Sequence, residues 1–400
     1  MAARRVVVSG ASIAGLSAAW WLSRTGWRVT VLERAAGFRD GGQNVDVRGV
    51  AHTVLDRMGL TEAVAAQNTT ETGTVLVGPD GREVAELPSE GPDGATAELE
   101  VLRGDFARVL LDALPDDVEV RYDQTIDAVD ERADGIALRL ASGEELEADL
   151  LVVAEGVRSR TRDRLFGAQV ERRGLGVAMV FGTIPRTPDD DDRWRWLTAD
   201  RGRRVHLRPD NHGTTRAMLC LATADDLAAL DRGAALERLR AAFGDAGWQA
   251  PRVLDGFATS DDVYVDQLTQ IRMPTWHRGR VCLVGDAAWC VTPMGGGGSS
   301  LALTGGYVLA ASLSGGDGSG PGIEAGLAAY EAWMRPLVDD VQGIPRGVVR
   351  LAFPRSALAL RARNLVLAGI LRSPLSRVVG RLFSVADDPR PLPELHATVA

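Results

Sequence analysis

The sequence predicts a mixed α/β fold: a Rossmann-like dinucleotide-binding half built from two separated stretches, an antiparallel-sheet domain inserted between them, and a C-terminal helical segment. Three observations carry this. A β-branched run at the start of the chain meets a glycine turn, strands of two-residue period fill the middle, and four consecutive glycines, Gly295 to Gly298, precede an apolar helix. The expected boundaries are 1–166 with 273–340 for the dinucleotide-binding half, 167–272 for the sheet domain and 341–400 for the last segment.

The first unit runs from a strand over 4–9 into Gly10-Ala11-Ser12-Ile13-Ala14-Gly15, then an apolar helix, then a second strand over 27–32 that ends in Glu33. Gly10 permits a tight turn, Gly15 lets the helix pack on the strand, and the helix start faces a pyrophosphate while Glu33 accepts from ribose hydroxyls. Ser12 replaces the middle glycine of the fingerprint, and its hydroxyl can cap the helix or donate to a phosphate. A polar loop over 34–59 leads into a helix from about Val50. Arg103 stands between a strand end and an amphipathic helix, where a lone arginine is ordinarily a solvated charge. Strands near 118–122, 136–140 and 149–153 follow, with turns at Ala133-Asp134-Gly135 and Ser142-Gly143, and then AEGVRSR over 154–160 turns from a strand into a basic helix start.

From 167 to 272 the pattern changes to alternation, with strands over 177–184, 193–198, 203–207, 215–222 and 263–271 and a helix over 234–243. The acidic run Asp189 to Asp192 reads as a solvated loop. A buried strand over 281–284 then delivers Gly285-Asp286, a turn at Pro293, the four glycines and a helix over 301–313. Glycines before a helix let backbone approach a ligand and aim unpaired N–H groups at it, so an electron-rich group belongs there. Asp286 is placed to accept hydrogen bonds from a ribose or ribityl chain. The Gly/Ser stretch 314–322 reads as a flexible connection. Residues 341–386 hold eight arginines and no acid, with Leu358, Leu360, Leu365, Leu367 and Leu371 at helical spacing and Pro354 and Pro374 as breaks. Packing of these short helices across an acidic body is favoured over an amphipathic helix on an anionic membrane.

Composition narrows the chemistry. With 45% hydrophobic and 25% charged residues over 400 positions the chain is an ordinary globular protein, and a net charge of -9 disfavours nucleic acid. Cys220, Cys282 and Cys290 fit neither a disulfide framework nor a metal cluster, so no metal is expected and reduced thiols in a cytoplasmic protein are the simplest reading. No secretory core or spanning run is present. All 45 basic residues are arginine, which excludes Schiff-base lysine chemistry and a P-loop lysine.

Three motifs in order, GASIAG with Glu33, AEGVRSR, and GRVCLVGDAAW with Pro293 and the four glycines, give a resemblance over roughly 6–333. The chain resembles the single-component FAD-dependent aromatic hydroxylases, the class A flavoprotein monooxygenases, and looks closest to the branch of tetracycline-inactivating and natural-product hydroxylases. The resemblance implies an FAD-binding domain of the aromatic hydroxylase type, non-covalent FAD, NADPH or NADH as co-substrate, and insertion of one atom of O2 into an aromatic or polycyclic, polyketide-like substrate by way of a flavin hydroperoxide. It implies Gly10, Ser12, Ile13, Gly15, Glu33 and Arg34 around the ADP half, Arg103 at a phosphate or the ribityl side, Asp46 near the flavin and Asp286 at the ribityl-pyrophosphate. Pro293, Gly296, Gly297, Gly298 and Ser299 would pass the isoalloxazine ring, and Arg39 would touch NAD(P)H. Both glycine-bearing helix starts must then converge on one extended cofactor.

Two positions depart from the family pattern. Glu155-Gly156 stands where the family usually has Asp-Gly, and Trp289 where it often has histidine, which argues against proton transfer there and for a packing or substrate-stacking surface. On the sheet, His206 and Arg216 are candidates for a base or cation that favours a phenolate, with Trp196, Met218, Trp289 and Met294 as apolar walls; no catalytic residue is assigned. The implied partners are a small aromatic or polycyclic substrate, O2 and NAD(P)H, without nucleic acid or membrane, in a monomer or homodimer. Alternatives on the same motifs are a flavin-dependent reductase or dehydrogenase and a non-catalytic flavoprotein that sequesters an aromatic compound. A halogenase is disfavoured: Trp194-Arg195-Trp196 lacks an Ile-Pro continuation, and there is no lysine.

Overall fold

The computed structural model describes residues 4–87, 99–132, 134–316, 319–343, 345–371 and 390–396. Strand Arg4–Ser9 sits inside a six-stranded sheet, flanked by Leu150–Val153 and Trp27–Leu32, with Val281–Leu283 and His277–Arg278 beyond one side and Glu119–Arg121 beyond the other. The neighbours of the central strands are parallel, and only the edge pair of His277–Arg278 with Val281–Leu283 is antiparallel. Parallel strands covered on both faces must be apolar throughout. VVVS, LLVV and VCL satisfy that, with Val8, Val152 and Cys282 fully buried.

Helix Ile13–Ser23 packs on helix Gly298–Ser314 at a close crossing. A Cβ on Gly306 would lie 2.4 Å from Ser17 Oγ, and that hydroxyl donates to Leu303 O at 2.7 Å. This crossing joins residues nearly three hundred positions apart and brings the first and second halves of the Rossmann-like unit together. A three-stranded meander (Ile126–Glu131, Ile136–Leu140, Glu145–Ala148) and a two-stranded ribbon (Asn44–Val47 with Leu99–Leu102) flank it.

The second sheet has seven strands in the order Tyr264–Arg272, Glu171–Pro185, Thr214–Ala222, Arg203–Pro209, Trp194–Ala199, Thr74–Val77, Glu83–Leu87. It is therefore wider than the span 167–272 alone, because two strands from 74–87 join its edge. The first of these pairs in parallel with Trp194–Ala199, so the sheet is not purely antiparallel. One face carries Val180, Val205 and Leu219 and is covered by helices Arg232–Phe243 and Ala250–Thr259 through Leu239, Phe243 and Phe257. The other face is turned to the rest of the molecule and carries the site.

The acidic run is not a solvated loop. Asp190 pairs with Arg252, and Asp191 lies 2.7 Å from both Arg193 and Arg195. Burial pushes against ionisation of Asp191, yet hydrogen bonds from Arg195 and Arg193 hold it down to about 2.

Beyond Asp340 the chain forms helices Arg346–Ala352 and Ala357–Leu371 around Pro354, whose carbonyl accepts from Gly202 N at 2.8 Å. Of the named leucines that can be followed, Leu360 is half-buried, but Leu358 and Leu365 do not pack. Leu358 and Leu365 are 77% and 79% exposed, while Arg363 is only 8% exposed, so an arginine faces inward and leucines face out. The segment is held instead by Phe353, Val349 and Ala352 against the inner face of the sheet. Pro374 and Ala133, and the side chains of Leu367 and Leu371, lie outside the described residues. The stretch after Ser314 is not all linker, since helix Gly320–Gln342 begins within it, capped by Ser319. Among the described residues no helix is long and apolar enough to cross a membrane, and no group of three His, Cys, Asp or Glu could hold a metal ion.

Candidate functional site

The first glycine turn is bare backbone by necessity. A Cβ on Gly10 would sit 2.4 Å from Ala154 O, and one on Gly15 would sit 1.8 Å from Gly10 O. Glu33 is fixed beside the turn by N–H groups of Ala11 and Ala35, each at 2.9 Å. Ser12 does not cap the helix with its side chain; its Oγ accepts from Arg103 Nη2 at 2.9 Å instead. Arg103 opens helix Arg103–Asp112 and lies along Gly42, exposed beside the turn.

The second turn abuts the first. A Cβ on Gly285 would be 2.6 Å from Ala14 Cβ, so the one-turn helix Asp286–Trp289 starts against the first turn of Ile13–Ser23. After Pro293–Gly295, Gly296 and Gly297 both have positive φ (63° and 68°), and Gly297 is the N-cap of helix Gly298–Ser314 without any side-chain cap. Space beside Gly296 is open for 4 Å around the position of a Cβ. Ser300 ties this helix start to the ribbon, donating to Asp46 O and accepting from Arg48 N, both at 3.0 Å; Asp46 itself pairs with Arg48.

Thr292, just before this turn, has φ 68° and ψ 156°, and its buried Oγ1 has no hydrogen-bond partner. That region of backbone is nearly glycine-only and costs of order 1–3 kcal/mol for a β-branched residue. Thr292→Gly is expected to raise the thermal midpoint of unfolding by a few degrees. The relief outweighs the roughly 0.4–1 kcal/mol of added unfolded-state entropy, and a lowered midpoint in calorimetry would contradict it.

Two carboxyls face this region. Asp286 is open to solvent yet flanked by protein, and the resulting desolvation pushes its carboxyl up, against the pull of Arg103. Asp266, on strand Tyr264–Arg272, is raised to about 6 by burial and by the Asp286 charge, with Arg158 and Arg103 opposing. Arg103 thus acts on Ser12, Asp286 and Asp266 together, which makes it the hinge between the two glycine turns and the sheet.

On the inner face of the sheet, cross-strand register aligns Trp196 with His206, His206 with Met218, Met218 with Phe181 and Phe181 with Tyr264. A small, partly open pocket lies here, lined by Phe181, His206, Arg216, Met218, Asp262 and Tyr264 among others. Phe181 and Tyr264 stack with centroids 5.0 Å apart, and Met294 from the second glycine turn packs against the same apolar patch.

Residues 4–342 match the family described as FAD binding domain. The chain belongs to this family of flavoproteins. It is 32% identical over 409 residues to the flavin-dependent monooxygenase eupH of Phoma sp, covering 95% of each chain. Tetracycline destructase Tet(51) superposes with a TM-score of 0.78 at 27% identity, over 96% of this chain and 99% of that one. Klebsiella pneumoniae HpxO, solved with FAD and uric acid, shares the fold at 22% identity with a TM-score of 0.78, over 96% of this chain and 97% of that one. The protein is an FAD-dependent monooxygenase of the class A hydroxylase type.

The flavoprotein's two turns fit FAD on their own geometry: bare backbone at Gly10 and Gly15, an open backbone edge at Gly296, a fixed carboxylate at Glu33 and a guanidinium beside Ser12. Several expected side chains take other places. Trp289 is 1% exposed, enclosed by Trp276 at 4.6 Å, Tyr330 and the Gly305 backbone, so it is a core residue and not a substrate wall. Burial and the Arg204 charge push His206 well below its ordinary value, so it is a neutral imidazole and a poor base. Arg216 is held by Asp210 at 3.0 Å and Asp262 at 3.1 Å, so its charge is already matched. Glu155, the departure from Asp, closes a clasp: it accepts from Ser9 Oγ at 2.7 Å, Ser159 Oγ at 2.8 Å, and both Oγ1 and N of Thr161 at 2.6 and 3.1 Å. Arg34 and Arg39 are exposed on the segment after Glu33. Sequence reading passed over Asp266, Tyr264 and Phe181; their alternation within recognised strands was the available signal.

Proposed function

We propose that this monooxygenase oxygenates a flat, polycyclic aromatic ring that lies on the inner face of the sheet, opposite the second glycine turn. The observation that carries it is the row Trp196, His206, Met218, Phe181 and Tyr264 on one sheet face, with Met294 of the second glycine turn packed against the same patch. Bound FAD supplies the electrons taken from NAD(P)H and the activation of O2. Gly10, Ser12, Ile13, Gly15, Glu33 and Arg34 hold its ADP half, Arg103 its phosphates, Asp286 its ribityl chain, and Asp46, Pro293, Gly296, Gly297, Gly298 and Ser299 flank the ring. The uncapped N–H groups at the start of helix Gly298–Ser314 favour negative charge beside them, which a helix start carrying about half a positive charge provides. Phe181, Met179, Leu268 and Phe353 exclude water from the sheet face, so reactive oxygen is spent on the substrate. Arg39 contacts NAD(P)H, and the three buried free cysteines suit a cytoplasmic enzyme.

The test is to purify the protein with its flavin and screen polycyclic phenols for stimulated NAD(P)H oxidation, analysing the products by mass. A phenol that stimulates oxidation and gains one oxygen atom is the expected result. Stimulated oxidation without product oxygenation, or retention of the phenol without any NAD(P)H consumption, would overturn the reading in favour of a reductase or a sequestering protein.

A further inference from the structure

Exposed apolar side chains are gathered in one part of the molecule. Seven large ones stand exposed among the described residues, and five of them, Val348, Leu351, Leu358, Leu365 and Val366, fall on the two C-terminal helices. Leu358, Leu365 and Val366 recur at the spacing of one helical stripe, as do Val348 and Leu351 on the helix before. Each helix turns its opposite side to the protein: Val349, Ala352 and Phe353 pack on the sheet, Leu360 is half-buried and Arg363 is buried. Between the helices the Pro354 carbonyl accepts from Gly202 N at 2.8 Å, so both are tied to the sheet and their bare stripes face away from it. Arg350, Arg355 and Arg361 stand exposed beside the stripes. Residues 341–386 hold eight arginines and no acid, in a chain whose net charge is -9. A concentration of exposed apolar side chains marks a surface that meets a partner.

We propose that helices Arg346–Ala352 and Ala357–Leu371 seat the protein on an anionic lipid bilayer, with the leucines and valines at the boundary of headgroups and acyl chains and Arg350, Arg355 and Arg361 among the headgroup phosphates. Charge selects this occupant. A second copy in a twofold contact would set the same arginine-rich segment against itself. A protein partner is held in register by aromatic anchors and directed hydrogen bonds, whereas the apolar side chains of these stripes are all aliphatic, which a bilayer accepts without register. Arginine stems lie along apolar surface while their guanidiniums reach the headgroups. The acidic remainder of the chain is repelled by the same lipid, which holds the protein with these helices down and the rest off the surface. Helical spacing alone favours packing of this segment; its exposed leucines reverse the choice. The inference is independent of where the aromatic substrate lies.

The experiment uses the flavin-loaded protein carrying L365C, with an environment-sensitive dye on the new thiol; the natural cysteines, Cys220, Cys282 and Cys290, are all buried. The thiol is expected to react rapidly with a polar maleimide before lipid is added. The dye is then expected to shift to the blue as vesicles of phosphatidylglycerol and phosphatidylcholine in equal parts are titrated in. Vesicles of phosphatidylcholine alone bind roughly tenfold more weakly or worse, and added salt erodes the difference. In co-sedimentation of the unlabelled protein, R355Q/R361Q is expected to lose about twenty- to thirtyfold in vesicle affinity, each arginine contributing about fivefold. L358E/L365E loses roughly a hundredfold or more. Both variants keep the flavin content and thermal midpoint of the parent, because these side chains face solvent in the free protein. A thiol that resists the maleimide without lipid shows the stripe covered by the chain itself. Concentration-dependent dimers that protect the thiol show a second copy, and binding undiminished in L358E/L365E shows attraction by charge alone. Each of these overturns the proposal, as does equal binding to the two kinds of vesicle or binding to neither.

Discussion

Gly15→Ala is expected to give a protein that purifies without flavin and unfolds at a clearly lower temperature. The methyl group would stand 1.8 Å from Gly10 O, and the next atom it meets is again backbone, Gly10 C at 3.0 Å. No side-chain rotation relieves such a contact. The helix Ile13–Ser23 must move off the strand, and it carries Ala14 away from Gly285 and Ser17 away from Leu303 as it goes. The loss exceeds the roughly 1–3 kcal/mol usual for overpacking a core, because both glycine turns are displaced together. Gly59→Ala is the matched control: φ is 70° there, but nothing lies within 4 Å of the new Cβ. It costs about 1–2 kcal/mol of left-handed strain and leaves flavin content unchanged. Gly15→Ala protein with the flavin content and FAD affinity of the parent would show that the turn has room that its geometry denies.

The same long-range contacts explain what the sequence could and could not reveal. Strand Arg4–Ser9, its turn and Glu33 were legible because every part of that unit is local: the turn residues, the packing glycine and the carboxylate fall within thirty positions. The inner sheet face was legible too. A two-residue period settles which side chains share a face, and Trp196, His206 and Met218 do share one. What a period cannot settle is which face looks inward or what stands opposite. Leu358 and Leu365 share a stripe as their spacing requires, yet that stripe is exposed because Arg363 takes the inward position. For Trp289, after Gly285-Asp286, the sequence leaves packing and substrate stacking both open. Its destination is decided by Trp276 and Tyr330, which reach it from other elements. Charge partners follow the same rule. Arg216 reads as a free cation until Asp210 and Asp262 are seen to close on it. The acidic run reads as solvated until Arg252 arrives from a helix some sixty residues later.

Asp266 was passed over for the same reason, and it carries the second large effect. In isolation it is one more carboxylate on a strand. In the fold it is half-buried, desolvated and near the Asp286 charge, so its ionised form is disfavoured twice, and Arg158 and Arg103 offset only part of that. Its carboxyl is raised from 3.8 to about 6. A group whose pKa is higher in the folded state binds its proton more tightly there. Its stabilising contribution is therefore complete below about pH 4, declines as pH rises from about 4 to 6, and is gone above 6. Asp266→Asn removes the charge and keeps the shape. The variant is expected to match the parent at pH 4 and to exceed it by about 3 kcal/mol at pH 7, the equivalent of two pKa units. Denaturant unfolding of the flavin-free protein at the two pH values measures the difference directly. The control is Asp191→Asn, at a carboxyl held down to about 2 by Arg195 and Arg193, where the sign reverses: stability is lost at neutral pH and the loss fades below about pH 4. An Asp266→Asn advantage that does not change between pH 4 and 7 would mean that the carboxyl is solvated and that the two acids do not sense each other across the groove. A gain confined to neutral pH would show a strained charge held at the junction of the two glycine turns and the sheet, where Arg103 acts on both acids and on Ser12.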